Sequence, residues 1–132
     1  MSAAAIAQIV KTIKREKKFV ILSHESPDGD AIGSQLALCA ALKRIGKDVV
    51  LVSDRVPRKY QFLPGSGDTT HGLDVSMEGR VAVFVDTPTL ERLGDGGGMD
   101  PIFKSIINID HHVSNVRFGT YNWVDVSASS VG

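Results

Sequence analysis

The chain has 132 residues, which suits one domain, and 42% hydrophobic and 23% charged residues place it near globular averages. Fifteen Lys plus Arg balance fifteen Asp plus Glu, which gives no support for a long nucleic-acid track but leaves room for a small nucleotide held in one pocket. A single cysteine, Cys39, excludes an internal disulfide, and no segment approaches the ~20 apolar residues that span a bilayer.

Ile6, Ile9, Val10 and Ile13 recur at helical spacing, so residues 2–17 read as an amphipathic helix. Its basic residues follow the apolar run, opposite to a secretory signal, so a soluble cytoplasmic protein with no membrane contact is expected. Phe19 to Ser23 is a short apolar run of the kind found in buried parallel strands. A polar turn and a helix from Ala31 to Ile45 follow, with Asp30 expected as N-cap, Cys39 as a buried thiol and Gly46 as the stop. Val49 to Ser53 is the second strand. Residues 54–80 are turn-rich, with a short helix expected near Arg58 to Leu63. Val81 to Asp86 is the third strand, and Ile106 to Asp110 the fourth. Short helices are expected from Pro88 to Gly94 and over Pro101 to Ser105. The tail from Tyr121 to Gly132 shows no period.

Four apolar strands joined by long crossovers imply an α/β fold in three layers: a parallel sheet with helices on both faces. Ligands of such sheets bind beyond the carboxyl ends of the strands, where the strand order reverses. The strand ends here carry His24 and Asp28, Asp86, and Asp110-His111-His112. Order 2-1-3-4 makes these ends neighbours. Taken singly, an Asp-Gly-Asp is more often a turn and cap, and a His-His pair more often core or surface. Together, carboxylates and imidazoles suit Mn²⁺, Mg²⁺ or Fe²⁺. Asp86 can bridge two cations, and such a pair lowers the pKa of a bridging water to give a hydroxide nucleophile at neutral pH. Gly29 is expected to turn the chain sharply between Asp28 and Asp30, and Gly33 and Ser34 to allow close packing or approach of a phosphate. His71 reads as an exposed loop residue, and Arg55, Arg58 and Lys59 as a small basic cluster that either meets a phosphate or forms a solvated face.

His24-x-x-x-Asp28-x-Asp30 followed by Gly33-Ser34, Asp86 closing an apolar strand, Asp110-His111-His112 extending to Asn115, and Asp125 to Ser130 together resemble the four motifs of the DHH phosphoesterase superfamily. The match is most similar to the oligoribonuclease and pAp-phosphatase branch, related to RecJ nucleases. The resemblance implies that His24 and Asp28 bind one metal, that Asp30 and His111 bind the other, and that Asp86 bridges them. It implies that His112 faces the scissile phosphate, that Asp110 orients the histidine pair, and that Ser129 and Ser130 line the site. The implied cofactors are two Mn²⁺ ions, with Mg²⁺ as an alternative. The implied substrates are short oligonucleotides or small phosphorylated nucleotides, and a homodimer is compatible.

The alternatives are pyrophosphate or polyphosphate hydrolysis on the same metal core, and a non-catalytic nucleotide-binding or regulatory module. A dinucleotide-dependent dehydrogenase fits less well, because carboxylates stand where Gly-x-Gly-x-x-Gly would be required. Family members usually carry a further metal-binding Asp and a C-terminal substrate domain. Residues 1–132 are therefore expected to be the N-terminal portion of a DHH domain without that substrate domain, with weak or absent turnover in isolation.

Overall fold

The computed structural model describes residues 2–24, 27–53, 56–90 and 102–132. Apolar runs rich in β-branched residues form strands β1 (Lys18–Leu22), β2 (Asp48–Leu51), β3 (Val81–Val85) and β4 (Ser105–Asp110), and a fifth, β5 (Tyr121–Val124), completes the sheet. Every pairing is parallel and the order is β2-β1-β3-β4-β5. The expected order 2-1-3-4 is therefore present, extended at one edge. From β1 the chain turns to one side for β2 and then crosses to the other for β3. The reversal opens a crevice between the carboxyl ends of β1 and β3.

Among the described residues, two α-helices, α1 (Ser2–Arg15) and α2 (Gly29–Arg44), pack against the sheet. Alternation along the strands divides the core. Phe19, Ile21, Val83 and Ile107 share one cluster with Ile9 of α1 and with Cys39 and Leu42 of α2. Val20, Leu22, Ala82 and Phe84 point the opposite way, against Met77, Leu73, Phe103 and Phe118. The described α-helices thus cover one face. The 3₁₀ turn Val75–Met77 and the connecting segments cover the other. Phe84 is fully buried there, edge-on to Phe103 and Phe118 at centroid distances of 6.3 and 5.3 Å. Burying such a ring contributes about 1.5–3 kcal/mol.

Several local expectations shift. On α1, Val10 is exposed, while Thr12 is buried with its hydroxyl donating to the Gln8 carbonyl at 2.9 Å. That bond lets a polar residue take a core position. The turn of helix expected over Pro101 to Ser105 is absent from residues 102–104, because the Lys104 amide already pairs with the Arg80 carbonyl ahead of β4. Near Arg58 only a 3₁₀ turn forms, Arg58–Tyr60. The helix expected from Pro88 to Gly94 lies outside the described residues from position 91 onward, as does Arg55.

Strand β5 is only four residues long and all of them are half-buried, although Tyr121 and Trp123 turn toward the core cluster of the helical face. Pairing with β4 and a reciprocal clasp define it: the Gly119 amide donates to Asn122 Oδ1, and Asn122 Nδ2 donates to the Gly119 carbonyl, both at 2.9 Å. Any Cβ at Gly119 would lie 2.8 Å from the Tyr121 carbonyl oxygen, so the turn into β5 requires glycine. Among the described residues, no helix is long and apolar enough to cross a membrane.

Candidate metal centre

The carboxyl ends of β1, β3 and β4 converge as their order requires. His24 lies just beyond β1. Asp28 is the N-cap of α2, its Oδ1 accepting the Ala31 amide at 2.9 Å. This corrects the expectation that Asp30 caps the helix. The helix starts earlier, at Gly29, and Asp30 sits in its first turn beside the other unpaired amides. Gly29 is therefore helical and makes no left-handed turn. A Cβ there would meet the Tyr60 hydroxyl at 3.2 Å, so close packing is what suits glycine at this position.

Asp86 ends β3 in a left-handed conformation, φ 57°, that a short polar side chain tolerates better than a branched one. Its carboxylate is 2% exposed and surrounded by three histidines. His24 Nε2 lies 3.4 Å from Oδ2, while His111 Nε2 and His112 Nδ1 lie 3.2 and 3.7 Å from Oδ1. His111 Nε2 is also 3.4 Å from Asp30 Oδ2.

Two groups of potential donors share Asp86: His24, Asp28 and Asp86 form one, and Asp86, Asp110, His111 and His112 the other, each with its donor atoms within 4.8 Å of one another. Neighbouring donors of one octahedral ion at ~2.1 Å lie about 3 Å apart, close to the spacings found here. Among the described residues, the buried Asp86 Oδ1 has no hydrogen-bond partner, an arrangement that a cation would relieve.

The histidines are aimed by their second nitrogens. His111 Nδ1 lies 3.1 Å from the Ala128 carbonyl, which only accepts, so that nitrogen carries the proton and Nε2 faces the acids. His112 Nδ1 donates to Asp110 Oδ1 at 2.6 Å. Asp110 was expected to orient both histidines. Its carboxylate bonds His112, and the Ala128 carbonyl holds His111.

Asp30 takes a different kind of support. The Val131 amide donates to both of its oxygens at 3.0 Å, the Gly132 amide to Oδ1 at 3.2 Å, and the Ser34 hydroxyl to Oδ1 at 3.0 Å. These backbone donors carry no sequence signature, and nothing in the residue pattern announced them. Ser129 and Ser130 are exposed in the short segment between Ala128 and Val131. The Asp125 carboxylate caps the turn that starts this segment, accepting from the Ser127 amide and hydroxyl. His71, Arg58 and Lys59 are exposed, and Glu25 and Ser26 lie outside the described residues.

Electrostatics separate the acids. Burial, together with the charges of Asp30 and Asp28, pushes the Asp86 carboxyl above its ordinary range, against the pull of His112 and His24. For Asp30, burial acts upward but is outweighed by the Val131 and Gly132 amides and Ser34, so its pKa is lowered. For His111, burial acts downward but is outweighed by the Ala128 carbonyl and the charges of Asp86, Asp30 and Asp110, so its pKa is raised. The centre thus combines carboxylates that repel one another with imidazoles held by fixed acceptors.

The chain is 37% identical over 125 residues to the bifunctional oligoribonuclease and PAP phosphatase NrnA of Thermus thermophilus, covering 95% of this chain and 36% of that protein. It is 30% identical over 132 residues to the Bacillus subtilis protein of the same name, covering 94% and 38%. A solved structure of an exopolyphosphatase-related protein from Bacteroides fragilis superposes with a TM-score of 0.83 at 31% identity, over 98% of this chain and 41% of that one. The chain therefore spans less than half the length of the relatives it matches. The model of the DHH family N-terminal domain matches residues 18–132, and by that match and these relatives the chain belongs to the DHH family.

Proposed function

We propose that this chain carries the dinuclear centre of a cytoplasmic, Mn²⁺-dependent phosphoesterase acting on short oligonucleotides or pAp-like nucleotides. The observation that carries the reading is the buried Asp86 carboxylate, shared by two donor groups, with one oxygen that has no hydrogen-bond partner among the described residues. His24, Asp28 and Asp86 would hold one ion, and Asp86, Asp30 and His111 the other. Two Mn²⁺ ions, or Mg²⁺ in their place, supply charge neutralisation for a phosphoryl group and an acidified water at neutral pH when bound. His112 spends Nδ1 on Asp110 and is 37% exposed in its side chain, so its Nε2 is available to a phosphoryl oxygen. Asp110 keeps that ring oriented. Ser129 and Ser130, carried by the segment that buttresses His111 and Asp30, border the substrate. Oligoribonuclease and PAP phosphatase in the relatives' names favour nucleotides.

A second reading, pyrophosphate or polyphosphate hydrolysis, draws on the exopolyphosphatase-related name of the solved neighbour. One experiment separates them. Calorimetry with Mn²⁺ on the 132-residue chain should give two ions per chain. A chimera joining this chain to the C-terminal remainder of the Thermus relative should release mononucleotide from dinucleotides and phosphate from pAp. Faster release from pyrophosphate would favour the second reading. Two bound ions with no turnover of any of them would leave a binding module.

A further inference from the structure

We propose that Asn108 is a positioning residue that braces both halves of the centre: the left-handed kink at Asp86 and, through Asn115, the Asp110–His112 pair. It rests on the metal reading only for what the brace serves, since the geometry itself involves no metal.

Asn108 occupies the middle of β4, opposite Phe84 of β3, and is fully buried. Its strand neighbours are isoleucines, and an amide at such a site is costly unless its polar atoms are bonded. Here they are bonded directionally. Nδ2 donates to the Phe84 carbonyl at 3.3 Å and to the Thr87 carbonyl at 3.0 Å, while Oδ1 accepts from Asn115 Nδ2 at 2.7 Å. The two carbonyls flank Asp86 in sequence. When β3 ends in a residue at φ 57°, the Thr87 carbonyl leaves the regular ladder, and the Asn108 amide is what satisfies it. The Thr87 hydroxyl closes the same turn on the Val85 carbonyl at 2.9 Å.

The second branch runs through Asn115. Its Nδ2 also donates to Asp110 Oδ2 at 2.8 Å, and the other oxygen of that carboxylate takes the His112 bond at 2.6 Å. Asn115 is itself fixed, since its Oδ1 accepts the Arg117 amide at 2.6 Å. One buried amide therefore ties the bridging acid on β3 to the acid–histidine pair on β4. A hydrophobic residue would fill the space but hold neither.

The test uses Asn108→Leu, nearly isosteric and without hydrogen bonds, and Asn115→Ala, which cuts only the second branch. Mn²⁺ affinity is measured by calorimetry. In the metal-free chain, the three-bond amide–Hα coupling of Asp86 reports the kink, and the ring resonances of His112 report the pair. Asn108→Leu should weaken Mn²⁺ binding about 10–100-fold, the usual cost of losing an outer partner, and should move the Asp86 coupling. Asn115→Ala should leave the Asp86 coupling as in the wild type, shift the His112 resonances, and weaken Mn²⁺ less. That split between reporters is not the mark of general loosening. Folded Asn108→Leu with wild-type Asp86 coupling and Mn²⁺ affinity overturns the proposal. Where Asn108→Leu does not fold, unchanged His112 resonances in Asn115→Ala overturn it. If the wild type binds no Mn²⁺, the metal reading falls, and the Asp86 coupling still decides the brace.

Discussion

At the amino ends of the strands, Arg80 reaches the Phe19 and Asp48 carbonyls at 3.1 Å and the Asp48 carboxylate at 3.0 Å. Lys47 donates to the Lys14 and Glu16 carbonyls at 3.2 and 2.7 Å, and Glu16 pairs with both Lys104 and Arg15. At the carboxyl ends of the same sheet, Asp28, Asp30, Asp86 and Asp110 gather around imidazoles, with no Lys or Arg paired to them among the described residues. At the first edge each named acid is paired with a cation of the chain, mostly in water. The second concentrates negative charge where burial removes water, and leaves Asp86 Oδ1 without a hydrogen-bond donor among the described residues. The contrast teaches which edge folding completes and which it leaves with charge that the proposed cations would offset. Interior electrostatic cost is tolerated where a ligand repays it.

The sharpest way to break this comparison is Asp86→Asn, which keeps a side chain able to adopt the left-handed conformation but removes the charge. Mn²⁺ affinity should fall by more than ~100-fold, beyond the loss of an outer partner. The metal-free chain should melt a few degrees higher, because a carboxyl with a raised pKa opposes folding once ionised. A lower metal-free melting temperature would contradict the charge-deficit account.

Val131→Pro removes the amide that bonds both Asp30 oxygens. Mn²⁺ affinity should drop about tenfold in calorimetry, with the Asp30 carboxyl resonance titrating at higher pH than in the wild type.

A pH series sharpens the same point more gently. Because the folded pKa of Asp30 is lowered, its stabilising contribution is present above the unfolded value of about 3.9 and is lost as pH falls through the lower folded value. His111 behaves inversely: its raised pKa gives stability below about 6.5 that is lost as pH rises through the folded value. Urea unfolding of Asp30→Asn and wild type should therefore converge toward pH 2 and separate by pH 6.

The smallest effect belongs to the other edge. Glu16→Gln should lower the melting temperature only marginally and leave Mn²⁺ affinity unchanged, since exposed ion pairs are screened. A large loss of Mn²⁺ binding there would dissolve the distinction between the two edges.

Much of this centre was legible in the residue types. Carboxylates and imidazoles gathered at three strand ends point together to metal chemistry, and a short apolar run such as Val81 to Val85 is read as a buried strand. Given four such runs, the acid-bearing ends suggested which strands are neighbours, and the sheet has that order. Sequence did not reveal β5, whose half-buried residues become a strand only against β4. It placed the cap of α2 on the wrong aspartate, because Asp28 and Asp30 have the same chemistry and only the helix start distinguishes them.

The sequence by itself determined which side chains are able to bind a cation and which strand ends carry them, since both follow from residue chemistry and apolar runs. Tertiary structure alone decided how they are aimed. The Ala128 carbonyl behind His111, the Val131 amide on Asp30 and the Asn108 amide beside the Asp86 kink act through backbone groups or a buried Asn. Such groups are present all along any chain. Only packing gives these few a direction, and direction is what separates a cluster of acids from a site.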